Sequence, residues 1–497
     1  EKRSTIRIFE KIGFGLGHVF NDLCAGVWFS YTLLFMQGAL QMPSVEAGAM
    51  VMLGQIGDAI ATPIVGILTD KYGTKRQWHI FGTFIVFITF PMIFSICPWC
   101  SIAPRYWEII YFTIVILLFQ FGWPIVQITH LAMIPELSRT HKDRSELTAV
   151  RYSLSICSNV IVYVVTWIIL KTNQKDGTTN IGPSDAFRFR DISLILTLIG
   201  VSMTVIFNFS LSISSYESRR QTAMQNDRSN ERERLIEDVD EDSNGDSTAT
   251  TSTASSSNTG VRKNFFTSYL LYQNALLYVF SRLFMTTSLL YMPLWLDERA
   301  RPTPAPTPSP SGNSTNSGVG LLSSDVRIEH LATVPLVSFL ASFLASLLLK
   351  YNRKIGHLSI YMIGSIISIS VCTWIALKSS AGVIGIELYS IAMFFGAGSS
   401  ITMISSLCIT ADMIGPHVTQ GGFIYSAVTF ADKFITGIVV VIIESLKCKK
   451  RQDCPEYYHN VLAYGCGISA LLGLITLISL RCTKSMTQIY VTNIQNT

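Results

Sequence analysis

The feature that most constrains this chain is a succession of long apolar blocks, almost free of charge, separated by short basic loops. Ile80 to Ile96, Ile109 to Phe121 and Val461 to Leu480 are each long enough for most or all of a bilayer crossing. Only 14% of the 497 residues are charged while 49% are hydrophobic. Soluble domains run near a quarter charged, so this chain lacks the polar surface to cover a water-facing body. Inside hydrocarbon every backbone amide needs an internal partner. The blocks show no period-two alternation, so they read as helices rather than barrel strands.

Twelve spans are predicted, near 12–37, 47–69, 79–97, 107–133, 148–170, 191–213, 264–296, 326–349, 357–378, 383–408, 420–444 and 459–480. The expected fold class is an all-α membrane protein, with twelve transmembrane helices in two six-helix bundles. Residues 1–214 form the amino-terminal bundle, 215–263 a disordered cytosolic linker, 264–485 the carboxyl-terminal bundle and 486–497 a cytosolic tail. No cleavable signal peptide is expected, because Glu1-Lys2-Arg3 leads straight into a full-length span.

Short-loop cations set the orientation. Lys2, Arg3, Arg7 and Lys11 precede span 1; Lys71, Lys75 and Arg76 follow span 2. Arg139, Lys142 and Arg144 follow span 4, and Lys350, Arg353 and Lys354 follow span 8. All fall on one side, which is therefore cytosolic, together with both termini. Lys447-Cys448-Lys449-Lys450-Arg451 breaks the pattern, because alternation puts it on the other side.

Residues 215–262 are rich in Ser, Thr, Asn, Asp and Glu with almost no aromatics, so they cannot bury a core. Within them, Glu231-Arg-Glu-Arg-Leu235-Ile236 fits an acidic dileucine signal read by a sorting adaptor, against chance occurrence in a Glu-rich loop. The non-cytosolic loop at 297–325 carries Asn313-Ser314-Thr315, an N-glycosylation acceptor.

The sharpest motif joins spans 2 and 3: Gly66-Ile-Leu-Thr-Asp70-Lys71-Tyr-Gly73-Thr-Lys75-Arg76. Its glycines permit a tight turn and close helix approach, Asp70 can cap or pair at a helix end, and the cations hold the loop at the surface. This resembles the loop signature of the major facilitator superfamily. A degenerate counterpart, Asn352-Arg353-Lys354-Ile-Gly356, stands between spans 8 and 9, as a two-repeat architecture requires. Gly17-His18-Val19-Phe20-Asn21-Asp22, Gln55-Ile-Gly-Asp58-Ala-Ile-Ala-Thr62-Pro63 and Glu146-Leu-Thr-Ala-Val-Arg151-Tyr152 resemble the glycoside–pentoside–hexuronide cation symporter branch. Across nearly all spans the chain is similar to an animal branch of the superfamily. Gly17–Phe29, Pro91–Cys100, Phe119–Leu137, Glu146–Tyr152 and Thr410–Lys433 carry that likeness. The resemblance implies a lysosomal or melanosomal membrane and import of cysteine into those organelles.

Ionisable groups at bilayer depth cost roughly 2.5–3.5 kcal/mol each on insertion scales, so they usually face a cavity. The candidates for substrate or coupling are His18, Asp22, Gln55, Asp58, Gln127, Arg151 and Lys433, with Trp28, Trp123 and Tyr152 as cavity walls. A bland alternative pairs Asp22 or Asp58 with Arg151 or Lys433 only to hold the halves together, and Arg282 and Asp432 read as structural. Adjacent positions on a helix diverge by about 100°, so Lys433 needs a partner other than Asp432, and Asp58 and Asp22 are the candidates.

The symporter branch has a second carboxylate where this chain has Thr62, and an acidic position on span 4 is Gln127. Sodium, which wants several charged oxygens, is therefore disfavoured against proton coupling through Asp22, Asp58 or His18, or no coupling. A zwitterion such as cysteine needs one anionic and one cationic partner: Asp58 or Asp22 for its ammonium, Arg151 or Lys433 for its carboxylate. Cys448 and Cys454 share a non-cytosolic loop, where an oxidising lumen permits a disulfide and a cysteine-rich one keeps it reduced. No His-Glu-x-x-His, Gly-x-Ser-x-Gly or nucleotide loop occurs, so an enzyme is disfavoured. Expected partners are a small solute, membrane lipid and a sorting adaptor, with no nucleic acid, metal or cofactor. A sugar or other small-solute cation symporter is the rival reading.

Overall fold

The computed structural model describes residues 8–98, 104–137, 141–172, 181–213, 269–300, 330–351, 356–414, 418–448 and 453–495. The linker with Glu231, Leu235 and Ile236, the loop with Asn313, and the Asn352-Arg353-Lys354 counterpart lie outside them.

Twelve helical columns run through the described residues. The first, α1, covers Ile8–Ala39 in three pieces: Ile8–Leu16, Val19–Leu34 and a π-turn at Phe35–Ala39. It is followed by α2 (Ser44–Lys71), α3 (Lys75–Ile93), α4 (Tyr106–Leu137), α5 (His141–Thr172) and α6 (Ala186–Ile213). The second half holds α7 (Tyr269–Ala300), α8 (His330–Tyr351), α9 (His357–Ala376), α10 (Ile386–Ile414) and α11 (Val418–Leu446). The last column, α12, starts at Tyr457–Asn460, passes a π-turn at Val461–Gly465 and continues as Cys466–Gln495, beyond the boundary expected at 485.

Among the described residues, ten columns are long and apolar enough to cross a membrane. The other two carry polar or charged residues with a place in the fold. The first turns of α3 hold Arg76, Gln77 and His79, and α11 carries Asp432, Lys433 and Glu444. We call the face where α1 begins and α12 ends the terminal face, and the opposite one the distal face.

Each half packs on itself: α1 on α5 and α6, α4 on α2 and α3; then α7 on α12, α10 on α8 and α9. The most extensive contacts between the halves among the described residues pair α2 with α11, α1 with α7 and α5 with α8. The main core runs through both halves, with Trp28, Tyr31 and Phe35 of α1 and Tyr291 and Trp295 of α7 fully enclosed. Outward faces are apolar, as at Ile114, Leu117 and Leu118 of α4, which suits lipid rather than water.

The motif loop turns on Gly73, whose φ of +70° lies in the left-handed region that glycine adopts without steric cost. Thr74 and Gln77 then form a reciprocal capping box that starts α3. Lys75 Nζ donates to Thr69 O across the turn at 2.9 Å. Arg76 reaches α6, donating to Asn208 Oδ1 (3.3 Å), Asn208 O (3.1 Å) and Ser212 Oγ (2.6 Å). Asp70 sits on the last turn of α2. Gly66 departs from expectation: a Cβ there would meet nothing within 4 Å, so it serves no close helix approach in this conformation.

Candidate functional site

The site begins with the break in α1. Gly17 and His18 interrupt the helix, closing it with tight bonds from Gly17 N to Phe14 O (3.1 Å) and His18 N to Gly15 O (3.3 Å). Two buried histidines satisfy carbonyls around the break. His130 Nε2 donates to Phe14 O at 2.8 Å, and His79 Nε2 donates to Gly17 O at 2.9 Å. Because a carbonyl can only accept, both imidazoles carry their proton on Nε2. His130 stacks on Phe14 with ring centroids 4.2 Å apart.

The break orients His18. A guanidinium only donates, so Arg151 Nη2, 2.8 Å from His18 Nε2, gives its hydrogen to the imidazole. His18 Nδ1 then donates to Asp22 Oδ2 at 2.9 Å. The result is a directed chain, Arg151 to His18 to Asp22, contained within the amino-terminal half. Asp22 therefore does not bridge the halves, and the alternative that pairs it with Lys433 is corrected: the imidazole occupies it.

The partner of Lys433 is Asp58. Lys433 Nζ lies 2.5 Å from Asp58 Oδ2, joining α11 to α2 across the seam between the halves. The other oxygen, Asp58 Oδ1, accepts from Thr62 Oγ1 at 3.1 Å. The side chains keep 19% (Asp58) and 13% (Lys433) of their exposure, so the pair is mostly dry yet reachable. Beside it, Arg282 Nε of α7 bonds Asp432 Oδ2 at 3.2 Å, and Thr436 Oγ1 donates to Asp432 Oδ1 at 3.3 Å. The neighbours Asp432 and Lys433 thus serve different partners on different helices.

The remaining predicted residues scatter. Gln55 is buried on α2, three residues before Asp58. Gln127 is exposed on α4 and accepts from Trp123 Nε1 at 3.1 Å, which orients both. Trp123 packs edge-on against Phe119 and Phe29. Trp28, expected as a cavity wall, is 2% exposed and lies against Phe119 and Gly54, so it is a packing residue. Tyr152 is 54% exposed on α5, one position past Arg151.

Residues 13–301, more than half of the chain, match the family described as MFS/sugar transport protein. The chain belongs to that family. It is therefore a multi-pass membrane transporter and not an enzyme. Among curated relatives, major facilitator superfamily domain-containing protein 12 of Mus musculus is 31% identical, covering 95% of this chain and 94% of its own. The Homo sapiens protein of that name is 30% identical with the same coverage. The major facilitator fold is seen in solved structures too. A D-xylose-proton symporter aligns over 95% of this chain and 97% of its own, with a TM-score of 0.64 at 13% identity. The inward-open xylose transporter XylE from E. coli aligns with a TM-score of 0.63 at 12% identity, over 95% and 94% of the two chains.

One cluster in this family member was not anticipated. At the distal face Gln37 of α1 meets α11 and α12: Gln37 Nε2 donates to Glu444 Oε2 (2.7 Å), while Gln37 Oε1 accepts from Lys447 Nζ (3.0 Å) and Tyr458 OH (2.6 Å). Lys447 also donates to Tyr458 OH at 2.8 Å and lies 4.6 Å from the centre of its ring. Glu298 of α7 accepts the backbone N–H groups of Tyr457 and Tyr458, capping the start of α12. Two further bonds cross between the halves nearby, Ile181 N to Asp297 Oδ1 (2.7 Å) and Tyr31 OH to Leu331 O (3.0 Å). Together they hold the distal end shut.

Lys447 belongs to the basic loop that broke the charge pattern, and its place in this cluster accounts for one of that loop's cations; Lys449, Lys450 and Arg451 lie outside the described residues. The Lys447 ammonium is held by protein groups rather than facing a membrane surface. The available signal was Gln37, Glu444 and Lys447 near the ends of predicted spans, but nothing in their spacing pairs them.

Proposed function

We propose that this transporter carries cysteine from the cytosol into lysosomes or lysosome-related organelles such as melanosomes by alternating access. The terminal face is cytosolic and the distal face luminal. The observation that carries the reading is the Lys433–Asp58 pair: opposite charges 2.5 Å apart on helices of opposite halves. A zwitterion can replace each partner in turn, its ammonium taking Asp58 and its carboxylate taking Lys433. Exchanging one ion pair for two loosens the bond between α2 and α11 at the moment the site fills. The likeness to the animal relatives, spread over 95% of the chain, supports cysteine as that zwitterion.

The Arg151–His18–Asp22 chain supplies proton coupling. A proton added to His18 Nε2 would face an N–H of Arg151, so protonation expels the guanidinium and frees it for a carboxylate. Asp22 then balances the imidazolium through the existing 2.9 Å bond. Proton and substrate anion are linked through one side chain. A sodium site is disfavoured by donor chemistry, because Asp58 has Thr62 beside it in place of a second carboxylate.

Targeting through Glu231, Leu235 and Ile236, glycosylation at Asn313, and the linker and tail at 215–263 and 486–497 belong to the same proposal. The test is uptake of labelled cysteine into vesicles holding the purified protein, at several imposed pH gradients, with a disaccharide as comparison. Cysteine flux that responds to the gradient and disappears in Asp58→Asn is expected. Disaccharide uptake without cysteine uptake would replace this reading with the sugar symporter.

A further inference from the structure

The distal ends of α11 and α12 are tied by a bond that the scheme above does not use. Cys448 and Cys454 form a disulfide with Cα atoms 5.9 Å apart. Cys448 directly follows Lys447, and Cys454 precedes Tyr458 by four positions. Those neighbours are the side chains that close the distal end on Gln37. Both cysteines also line a cavity of about 480 Å³ shared with Gln37, Glu444, Lys447, Tyr457 and Tyr458. The bridge is half-buried on the wall of that cavity, whereas Cys24, Cys372 and Cys466 are enclosed in the protein.

We propose that Cys448–Cys454 is a thiol-exchange latch on the distal gate, reduced by small thiols on that side of the membrane. Under the cysteine reading the reductant is the cargo itself, and only this identity rests on that reading. Two features suit the bond to exchange. It is reachable from a solute-sized cavity, and it fixes two helix ends that must separate for the gate to open.

The chemistry balances with two thiols. The thiolate of one cysteine molecule attacks Cys454 Sγ; the S–S bond breaks and its electron pair leaves on Cys448 Sγ. A second thiolate attacks the sulfur of the bound cysteine, forming cystine and releasing Cys454 as a thiolate. The two thiolates take up the two protons given by the attacking thiols. Protein disulfide and two cysteines become protein dithiol and cystine.

In the oxidised protein the short bridge holds Lys447 and Tyr458 where both reach Gln37 Oε1. Reduction removes the disulfide cross-link between the two helix ends, and the freedom gained falls directly on those gate bonds. A lumen filling with thiol would thereby unlock its own gate, so flux would follow the thiol poise of the receiving compartment.

The test uses the full-length protein equilibrated in cysteine–cystine buffers of set ratio. Free thiols at 448 and 454 are counted by alkylation and mass spectrometry, and hydrogen exchange is followed at Tyr457–Asn460. Millimolar cysteine is expected to open the pair and quicken that exchange on the order of tenfold, the low end for releasing a short disulfide loop. Cys448→Ser with Cys454→Ser should exchange fast from the start and ignore cysteine. The proposal is overturned if the pair stays oxidised in millimolar cysteine, if it opens without changing exchange, or if the double variant keeps the protection of the oxidised protein. Neither readout needs transport, so a chain that carries no cysteine can still show the latch. Cysteine flux with an inert disulfide would remove the latch alone.

Discussion

Removing Lys433 should injure this protein in a way that removing Asp58 as well partly repairs. Lys433→Ala leaves the Asp58 carboxylate with the Thr62 hydroxyl as its hydrogen-bond donor, in a region that excludes most water. Deleting one member of a buried ion pair costs about 3–5 kcal/mol, because the survivor is left charged and unpaired. With 13% and 19% of the two side chains still exposed, some water reaches the pair and the lower end, about 3 kcal/mol, applies. At roughly 2 °C per kcal/mol for a chain of this size, the melting temperature in detergent should fall by about 6 °C. Asp58→Asn keeps the shape and orphans the ammonium, with a similar loss. In the double variant neither charge remains, so the fall should be about 2 °C, while transport stays absent because the substrate has lost both partners. Thermal unfolding of the wild type, the two singles and the double closes the cycle. Losses that simply add would refute the pairing and the gate built on it.

Three further outcomes follow from named contacts. Arg76→Ala removes the guanidinium that ties α3 to Asn208 and Ser212 of α6 and should cost about 1.5–3 kcal/mol, with slower flux; an unchanged melting curve would show those bonds to be idle. Gly396→Ala should prevent assembly of the carboxyl-terminal half, because the new Cβ would lie 1.8 Å from the Ser338 carbonyl oxygen and backbone cannot yield as a side chain can; a folded, monodisperse variant would contradict the α8–α10 packing. Under the proposed lysosomal address, Leu235→Ala with Ile236→Ala should move the protein to the cell surface in immunofluorescence, and unchanged lysosomal staining would remove that segment as the address.

The twelve columns were legible because bilayer physics leaves few alternatives: a long uncharged run must form a helix, and basic loops mark one face. The need of Lys433 for a carboxylate was legible for the same reason, since an ammonium at that depth cannot stand alone. The motif loop could be read because Gly73 and the Thr74–Gln77 box act within a few residues of each other. Which carboxylate answers Lys433 was decided only when α2 met α11, and Asp22 dropped out because the break in α1 turned His18 toward it. The direction of the Arg151–His18–Asp22 chain likewise depends on α5 lying against that break. Trp28 went into the core and Gln127 stayed exposed, although the first was expected to wall a cavity and the second to serve substrate or coupling. The distal gate was hidden altogether, with partners some four hundred positions apart at the ends of α1, α11 and α12. A sequence states which groups cannot remain unpaired at their depth. Which groups meet is settled by how two six-helix halves, each satisfied within itself, are laid against one another.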